Sequence, residues 1–376
     1  MIRYDTTEKF KYMLRFCLAE GIAMTINQPK KKQIAVLTGG GDAPGLNAVI
    51  RGIVVKAKKL GYDVLGILNG WRGLIDSEHC GVLDLDKVAD IHMLGGTILH
   101  TSRTNPYKIE DGPQKVRENL KKLNCDFLIA IGGEDTLGAA NKLYKEGVKV
   151  VGVPKTIDND LSETDYTFGF NTAITRATEA IQNLHTTAQS HHRTLIIEVM
   201  GRHAGWMALD AGIGGGASVI LIPEEPFDID EVCKIIMNRR KKGKKYSIIA
   251  VSEGAVPKEG QMVLQTHEKD DFGHVRLGGI AERLAREIEK RIGVECRHVV
   301  LGHLQRAGEP TVFDRVLGTR LGIKAAEMVD KKEFGKMAAL QGTKIVAVPL
   351  EKAVGKLKTV SKERYDEAKI FFDTGD

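Results

Sequence analysis

Three short stretches carry the residue types of phosphate and proton chemistry. "TGGGDAPG" (38–45), "IGGEDT" (131–136) and "VPKTIDND" (153–160) each end an apolar run and switch abruptly to glycine, acid or lysine. Glycines let backbone N–H groups approach an anion, helped by the positive end of a following helix. The second stretch is odd, because Glu134 and Asp135 follow the glycine pair directly and should repel a phosphate. In the third, Asp158 and Asp160 crowd together beside Lys155. A like charge raises one carboxylate's pKa and a cation lowers it, which suits a base that accepts a hydroxyl proton. Each stretch also has a plainer reading. Asp42 could cap a tight turn, Asp135 could cap a helix beside Thr136, and the two aspartates could form an Asx-turn.

Three further tips have the same form: "VMGRHAG" (199–205), "VSEG" (251–254) and "LGHLQRAG" (301–308). They contribute Arg202, Glu253, His303 and Arg306. Arg103, Arg193 and Arg297 also stand near strand ends, with no matching acidic excess evident. The planar arginine fork matches phosphate oxygens, so this set points to an anionic substrate. Glu253 and His303 are candidates for sugar hydroxyls or a phosphate, although a lone histidine is more often structural.

The elements needed to position these tips are legible. From Ile34 onward, nine runs rich in Val and Ile alternate with helical patterns: "IAVLT", "DVLGIL", "FLIAIGG", "KVVGVP", "TLIIEVMG", "SVILIP", "SIIAVSEG", "HVVLGH" and "KIVAVPL". Such continuous apolar runs predict strands covered on both faces. After "IAVLT", Leu46, Val49, Ile50, Ile53, Val54, Ala57 and Leu60 mark one helix face, and Gly61 can end it. Repeated β-α alternation predicts an α/β protein. Two doubly wound, mostly parallel sheet domains of Rossmann-like type would face each other, with ligands in the cleft beyond the strands' carboxyl ends. Residues 1–33, with "EKFKYMLRFCLAEGI" and "QPKKKQ", read as an N-terminal extension, and Met24 is an alternative start.

Composition narrows the class. With 376 residues, 42% apolar and 28% charged, the chain fits one large or two medium globular domains. No apolar run reaches the length of a membrane span, and no secretory leader is visible, so a cytoplasmic protein without membrane partners is expected. The five cysteines are widely spaced and odd in number, which suits reduced thiols. A net charge of +6 is mild. "RRKKGKK" (239–245) has no interleaved aromatics and reads as a solvated helix end, not a nucleic-acid site. The glycine spacing after "IAVLT" is not the dinucleotide fingerprint. Gly355-Lys356-Leu357 lacks the rest of a P-loop.

The blocks "GGDAPGLNAVIRG", "PKTIDND", "MGRHAGW" and "LGHLQRAGEPTVFDRVLGTRLG" stand in the order and spacing of the 6-phosphofructokinase family. The chain resembles that family from about Ile34 to about residue 355. The resemblance implies a larger donor-binding domain (34–169 plus 305–354) and a smaller sugar-binding one (170–304 plus 355–376). It implies that Asp158 is the general base for the 1-hydroxyl of fructose 6-phosphate, within a substrate-contacting turn of Thr156, Ile157 and Asp158. Met200, Gly201 and Arg202 would hold the sugar phosphate or the transferred group, and Glu253, His303 and Arg306 would bind the sugar. Arg193 and Arg297 match arginines supplied by a neighbouring subunit, which implies a homodimer or homotetramer. Gly40 and Arg103 would contact the donor. Glu134, in place of the family's usual aspartate, and Asp160 would attend a magnesium ion. Arg51 and the "KGKK" lysines survive from the family's effector site, while Val55, Leu85, His185 and Ser218 stand at its other positions, so ADP activation is not expected.

The resemblance also explains the acidic pair. Members that use ATP typically carry glycine at the position of Asp135. Those that use pyrophosphate pair an aspartate there with a lysine at the position of Lys155. An aspartate fills the space of the ATP α-phosphate and places a charge in it. Two unit charges about 4 Å apart repel by roughly 4 kcal/mol at an effective dielectric near 20. Pyrophosphate escapes this, and Lys155 can stabilise charge during transfer. The expected reaction is reversible phosphoryl transfer from pyrophosphate to fructose 6-phosphate. The alternative donor is ATP, and a sugar-phosphate-binding subunit without turnover is the rival of another class.

Overall fold

A computed structural model describes residues 31–258 and 279–372. Residues 1–30 of the expected extension lie outside the described residues. Two sheets organise the rest. The first has the order β12-β11-β5-β4-β1-β2-β3, from β1 (Gln33–Thr38), β2 (Asp63–Ile67), β3 (His79–Val82), β4 (Phe127–Gly132), β5 (Val150–Thr156), β11 (Lys336–Gln341) and β12 (Lys344–Pro349). A two-residue strand, β6 (Phe168–Gly169), pairs with the end of β5 through Lys155↔Phe168 and Thr156↔Gly169. The second sheet has the order β10-β7-β9-β8, from β7 (Thr194–Val199), β8 (Val219–Leu221), β9 (Ser247–Ser252) and β10 (Cys296–Val300).

Every pair in the second sheet is parallel. In the first, only the edges run antiparallel, β2 with β3 and β11 with β12. The central strands β4, β5, β7 and β9 are buried along their whole length. That burial follows from helices on both faces, which demand the near-continuous apolar runs seen in the sequence.

The helices between the strands are α1 (Leu46–Lys59), α2 (Trp71–Asp76), α3 (Gly112–Lys122), α4 (Glu134–Lys145), α5 (Phe170–His191) and α6 (Trp206–Gly215). They are followed by α7 (Ile229–Lys241), α8 (Ile280–Ile292) and α9 (Val312–Asp330). α1 presents the face expected from its spacing, and Gly61 follows its end at φ 86°. α1 and α9 pack on one side of the first sheet, in a cluster containing Val49, Ile53, Leu317 and Leu321. α4 lies on the other side with Leu137, Ala140 and Leu143 against Leu128 and Ala130. Among the described residues, no helix is long and apolar enough to cross a membrane.

The expectation of nine buried strands needs three corrections. The described residues hold twelve strands, with β3, β6 and β11 unforeseen. "KIVAVPL" contains β12, an antiparallel edge strand that is largely uncovered. "HVVLGH" overlaps only the last three residues of β10, 298–300; that strand has a neighbour only on the β7 side and leaves Arg297 and His298 exposed. Edge strands keep one flank and one face open, so apolar content alone does not place them in the interior.

Both sheets have a reversal of strand order that opens a crevice. In the first, the chain goes from β1 outward to β2 and then returns to β4 on the other flank. In the second, β8 and β9 lie on one flank of β7 and β10 on the other. At such points the connections diverge, and the space beyond the carboxyl ends is left free for a ligand.

Candidate active site

The tips of both sheets line one cavity of about 200 Å³. Gly40 and Gly41 follow β1. Gly133, Glu134, Asp135 and Thr136 follow β4. Lys155, Thr156, Asp158 and Asp160 come from the end of β5 and its loop. Arg202 and His203 follow β7, Arg306 follows β10, and Arg103 and Leu357 come from loops. The wall therefore alternates charge: Arg103, Lys155, Arg202 and Arg306 against Glu134, Asp135, Asp158 and Asp160. The absence of an acidic excess, expected from the sequence, holds only in balance, since four carboxylates share the wall with four cations.

The glycine loop stands open because of its backbone. Gly40 has φ 81°, which L side chains rarely adopt, and a Cβ there would lie 3.4 Å from Lys155 Nζ. Its N–H donates to Ser102 O at 3.0 Å, and its carbonyl accepts from Thr101 Oγ1 at 2.6 Å. Asp42 does not cap α1. The cap position is Gly45, itself at φ 105°, and no side chain bonds there. Instead the Asp42 carbonyl accepts from Arg306 Nη1 at 2.9 Å. Arg306 thus reaches from the second sheet's tip to the first sheet's glycine loop.

The two acidic tips of the first sheet differ. α4 begins at Glu134 with Gly133 as its cap, so Asp135 sits inside the first turn and is not the cap. Negative charge there is favoured by the helix dipole. Glu134 and Asp135 are exposed, and Glu134 Oε1 accepts from the Gly355 N–H at 3.2 Å. At the β5 tip, Lys155 is 4% exposed and Ile157 1%. Ile157 belongs to the apolar cluster under the second sheet and anchors the turn. Asp158 keeps part of its surface open, but its Oδ1 is enclosed without a hydrogen-bond partner. The Asp158 N–H donates to Thr156 Oγ1 at 3.1 Å. It is Asn159, not an aspartate, whose side chain braces the loop, accepting from the Thr167 N–H at 3.1 Å.

Burial sets the protonation chemistry. It pushes Asp158 up to about 7, helped by Asp160 and opposed by Arg306. It pulls Lys155 down to about 8, helped by Arg306 and opposed by Asp158 and Asp160. A half-buried carboxylate with one empty oxygen and a pKa near neutrality is equipped to receive a hydroxyl proton.

Met200, Glu253 and His303 are not among the residues that line the cavity. Glu253 is raised by burial and by Glu198, and opposed by Arg202 and Arg306; its charge in turn raises Asp158. Gly201 is buried at φ 133°. Gln305 carries no role on sequence grounds. It is 1% exposed, accepts from the Met200 N–H at 3.2 Å and donates to Gly302 O at 3.1 Å, tying the β7 tip to the 302–306 turn.

Arg193 and Arg297 are not brought to this cavity. They stand at the amino ends of β7 and β10, where Arg193 meets Glu295 at 2.8 Å and Arg297 meets it at 2.6 Å. Each precedes its apolar run in the sequence, so their grouping with the carboxyl-end tips needs correction. Gly41, Gly133, His203 and Leu357 complete the lining, although the sequence does not single them out. The first three belong to motifs already recognised, whereas Leu357 lies in the 355–357 stretch that lacks the rest of a P-loop.

The site has the conditions for a cation. Asp160, Glu134 and Asp158 all line this cavity. No cluster of three or more metal-binding side chains exists among the described residues.

The phosphofructokinase family pattern matches residues 33–329. The chain belongs to the phosphofructokinase family. It is 57% identical over 341 residues to the pyrophosphate--fructose 6-phosphate 1-phosphotransferase of Amycolatopsis mediterranei, covering 90% of this chain and 99% of that one. It is 52% identical over 337 residues to ATP-dependent 6-phosphofructokinase 3 of Streptomyces coelicolor, covering 89% of this chain and 98% of the relative. The fold is that of the pyrophosphate-dependent phosphofructokinase of Nitrosospira multiformis, with TM-score 0.76 at 21% identity over 90% of each chain.

Proposed function

We propose that the protein transfers a phosphoryl group reversibly from pyrophosphate to the 1-hydroxyl of fructose 6-phosphate, giving fructose 1,6-bisphosphate and orthophosphate. The carrying observation is that Asp135 and Lys155 line the same cavity as Gly40 and Asp158. Overall similarity does not separate the donors, since relatives named for pyrophosphate and for ATP match at 57% and 52%. The two side chains do. Asp135 puts a short acid where a nucleotide's extra phosphate would go, and Lys155 puts a buried cation beside the glycine loop.

In this reading Asp158 takes the proton of the sugar 1-hydroxyl as its oxygen attacks the terminal phosphorus. The bond from that phosphorus to the bridging oxygen breaks, and orthophosphate leaves with the electron pair. Arg103, Lys155 and Arg202 stabilise the charge on the phosphoryl oxygens, and positioning carries most of the rate. Thr156, Ile157, Met200, Gly201, Glu253, His303 and Arg306 hold the sugar phosphate. Glu134 and Asp160 would hold Mg²⁺, which supplies charge neutralisation to the phosphates. Arg193 and Arg297 face away from their own cavity, so they serve a neighbouring copy in a homodimer or homotetramer. The halves divide as 34–169 with 305–354 and 170–304 with 355–376, and the enzyme works in the cytoplasm. Phosphorus NMR tests the reaction. Fructose 1,6-bisphosphate and orthophosphate with Mg²⁺ should yield pyrophosphate and fructose 6-phosphate. No pyrophosphate at equilibrium would contradict it.

A further inference from the structure

A short segment of the chain, 355–360, runs across the tips of both sheets after leaving the first. The Gly355 N–H donates to Glu134 Oε1 at 3.2 Å, at the β4 tip. The Lys358 N–H donates to Asp160 O at 2.8 Å, at the β5 tip. The Lys358 carbonyl accepts from Trp206 Nε1 at 2.9 Å, where α6 begins after Arg202 and His203. The Val360 N–H donates to Glu224 Oε1 at 2.8 Å, and the same oxygen accepts from the Gly205 N–H at 2.9 Å.

The Lys358 ammonium has three hydrogens to donate, and three acceptors surround it. They are Asn159 Oδ1 at 3.0 Å, Thr164 O at 2.8 Å and Asp165 O at 2.9 Å. All three are carbonyl oxygens, so the arrangement directs backbone and amide groups and does not merely neutralise an acid. Asn159 stands between Asp158 and Asp160 at φ 53°, a left-handed conformation that side-chain hydrogen bonds must help to hold. Its Oδ1 is shared by Lys358 Nζ and the Thr167 N–H. Lys358 therefore grips the turn from both flanks, by its backbone on Asp160 and by its side chain on Asn159.

The geometry points to Lys358 as a positioning residue for phosphoryl transfer: it fixes the 158–160 turn so that Asp158 faces the hydroxyl it deprotonates, and it links that turn to Trp206 beside the β7 tip. It touches no reacting atom, and it is absent from the cavity lining. Misplacing a base by about 1 Å costs on the order of 100-fold in rate.

The inference rests on the phosphotransferase reading, and one set of assays separates the two. Wild-type turnover with pyrophosphate tests that reading alone. The ratio of variant to wild type, with whichever phosphate donor the wild type accepts, tests Lys358. Lys358→Met keeps the stem and removes the three donors. Its kcat should fall about 100-fold while KM for both substrates stays within about threefold, because only the transition state has lost an interaction. Asn159→Gly keeps the left-handed turn and removes the shared acceptor. The double variant should be no slower than about the slower single. In Trp71→Phe enzyme, Trp206 is the remaining tryptophan of two, and its emission should shift when the phosphate donor that the wild type accepts is bound. That reading holds even if Lys358→Met does not fold. A kcat for Lys358→Met within twofold of wild type, a loss confined to KM, additive single effects, or a Trp206 signal blind to that donor would each overturn the inference.

Discussion

The tips of β4 and β5 are neighbours in one sheet, each ending an apolar strand in a pair of acids, yet they have opposite characters. At the β4 tip, Glu134 and Asp135 are exposed on the first turn of a helix. At the β5 tip, Lys155 is buried, and Asp158 has an oxygen sealed from water without a partner. The difference comes from the segment behind each strand. Behind β4, the glycine pair leads directly into α4, whose start projects into the cavity. Behind β5, the loop 157–167 folds back to pair β6 with β5 and covers the turn. Exposure leaves the first pair open to the cavity, available to admit or refuse a donor. Enclosure moves Asp158 toward neutrality, where a proton can be exchanged.

Removing the enclosed carboxylate should have the largest consequence. Asp158→Asn should lower kcat by about 10²–10⁴-fold, the range for loss of a general base. It should also raise Tm at neutral pH. The folded protein lifts the Asp158 pKa from 3.8 to about 7, so the group's contribution to stability is full below the ordinary aspartate value and is lost as pH rises through about 7. The gain in Tm should accordingly vanish near pH 4. Thermal melts across that window check it, and a variant less stable than wild type at pH 8 would contradict the burial argument.

A smaller effect is expected from pH alone. Asp158 must be ionised to accept a proton, so kcat/KM should rise through about pH 7. Lys155 must keep its proton to stabilise phosphate charge, so kcat/KM should fall through about pH 8. Because this ratio reports the free enzyme, a narrow bell is predicted. A flat profile from pH 6 to 9 would show that the β5 tip is not the titrating centre.

Much of this contrast is visible in the amino-acid order. Nine apolar runs mark nine strands, and the residues after them include most of the cavity wall. The elements that escape such a reading do so for physical reasons. β11 reads "KMAALQ", whose alanines disfavour a strand locally, and only the gap between β5 and β12 makes it one. β6 is two residues long and exists because Lys155 and Thr156 offer it a partner. Gln305 and Lys358 act on turns 105 and 199 residues away in sequence, a relation that no local pattern encodes. Arg193 and Arg297 are different, since their place before the runs already assigns them to the far end of the sheet.

In the proposed reaction the β4 tip selects the donor, and does so through Asp135. Initial rates with pyrophosphate and with ATP, at saturating fructose 6-phosphate and Mg²⁺, test it directly in wild type and in Asp135→Gly. A penalty of even about 1.4 kcal/mol is tenfold in affinity. Wild type should therefore strongly prefer pyrophosphate, and the variant should move the ratio toward ATP by about tenfold or more. A wild type that turns over ATP and ignores pyrophosphate, or a ratio unmoved by the substitution, would contradict the account.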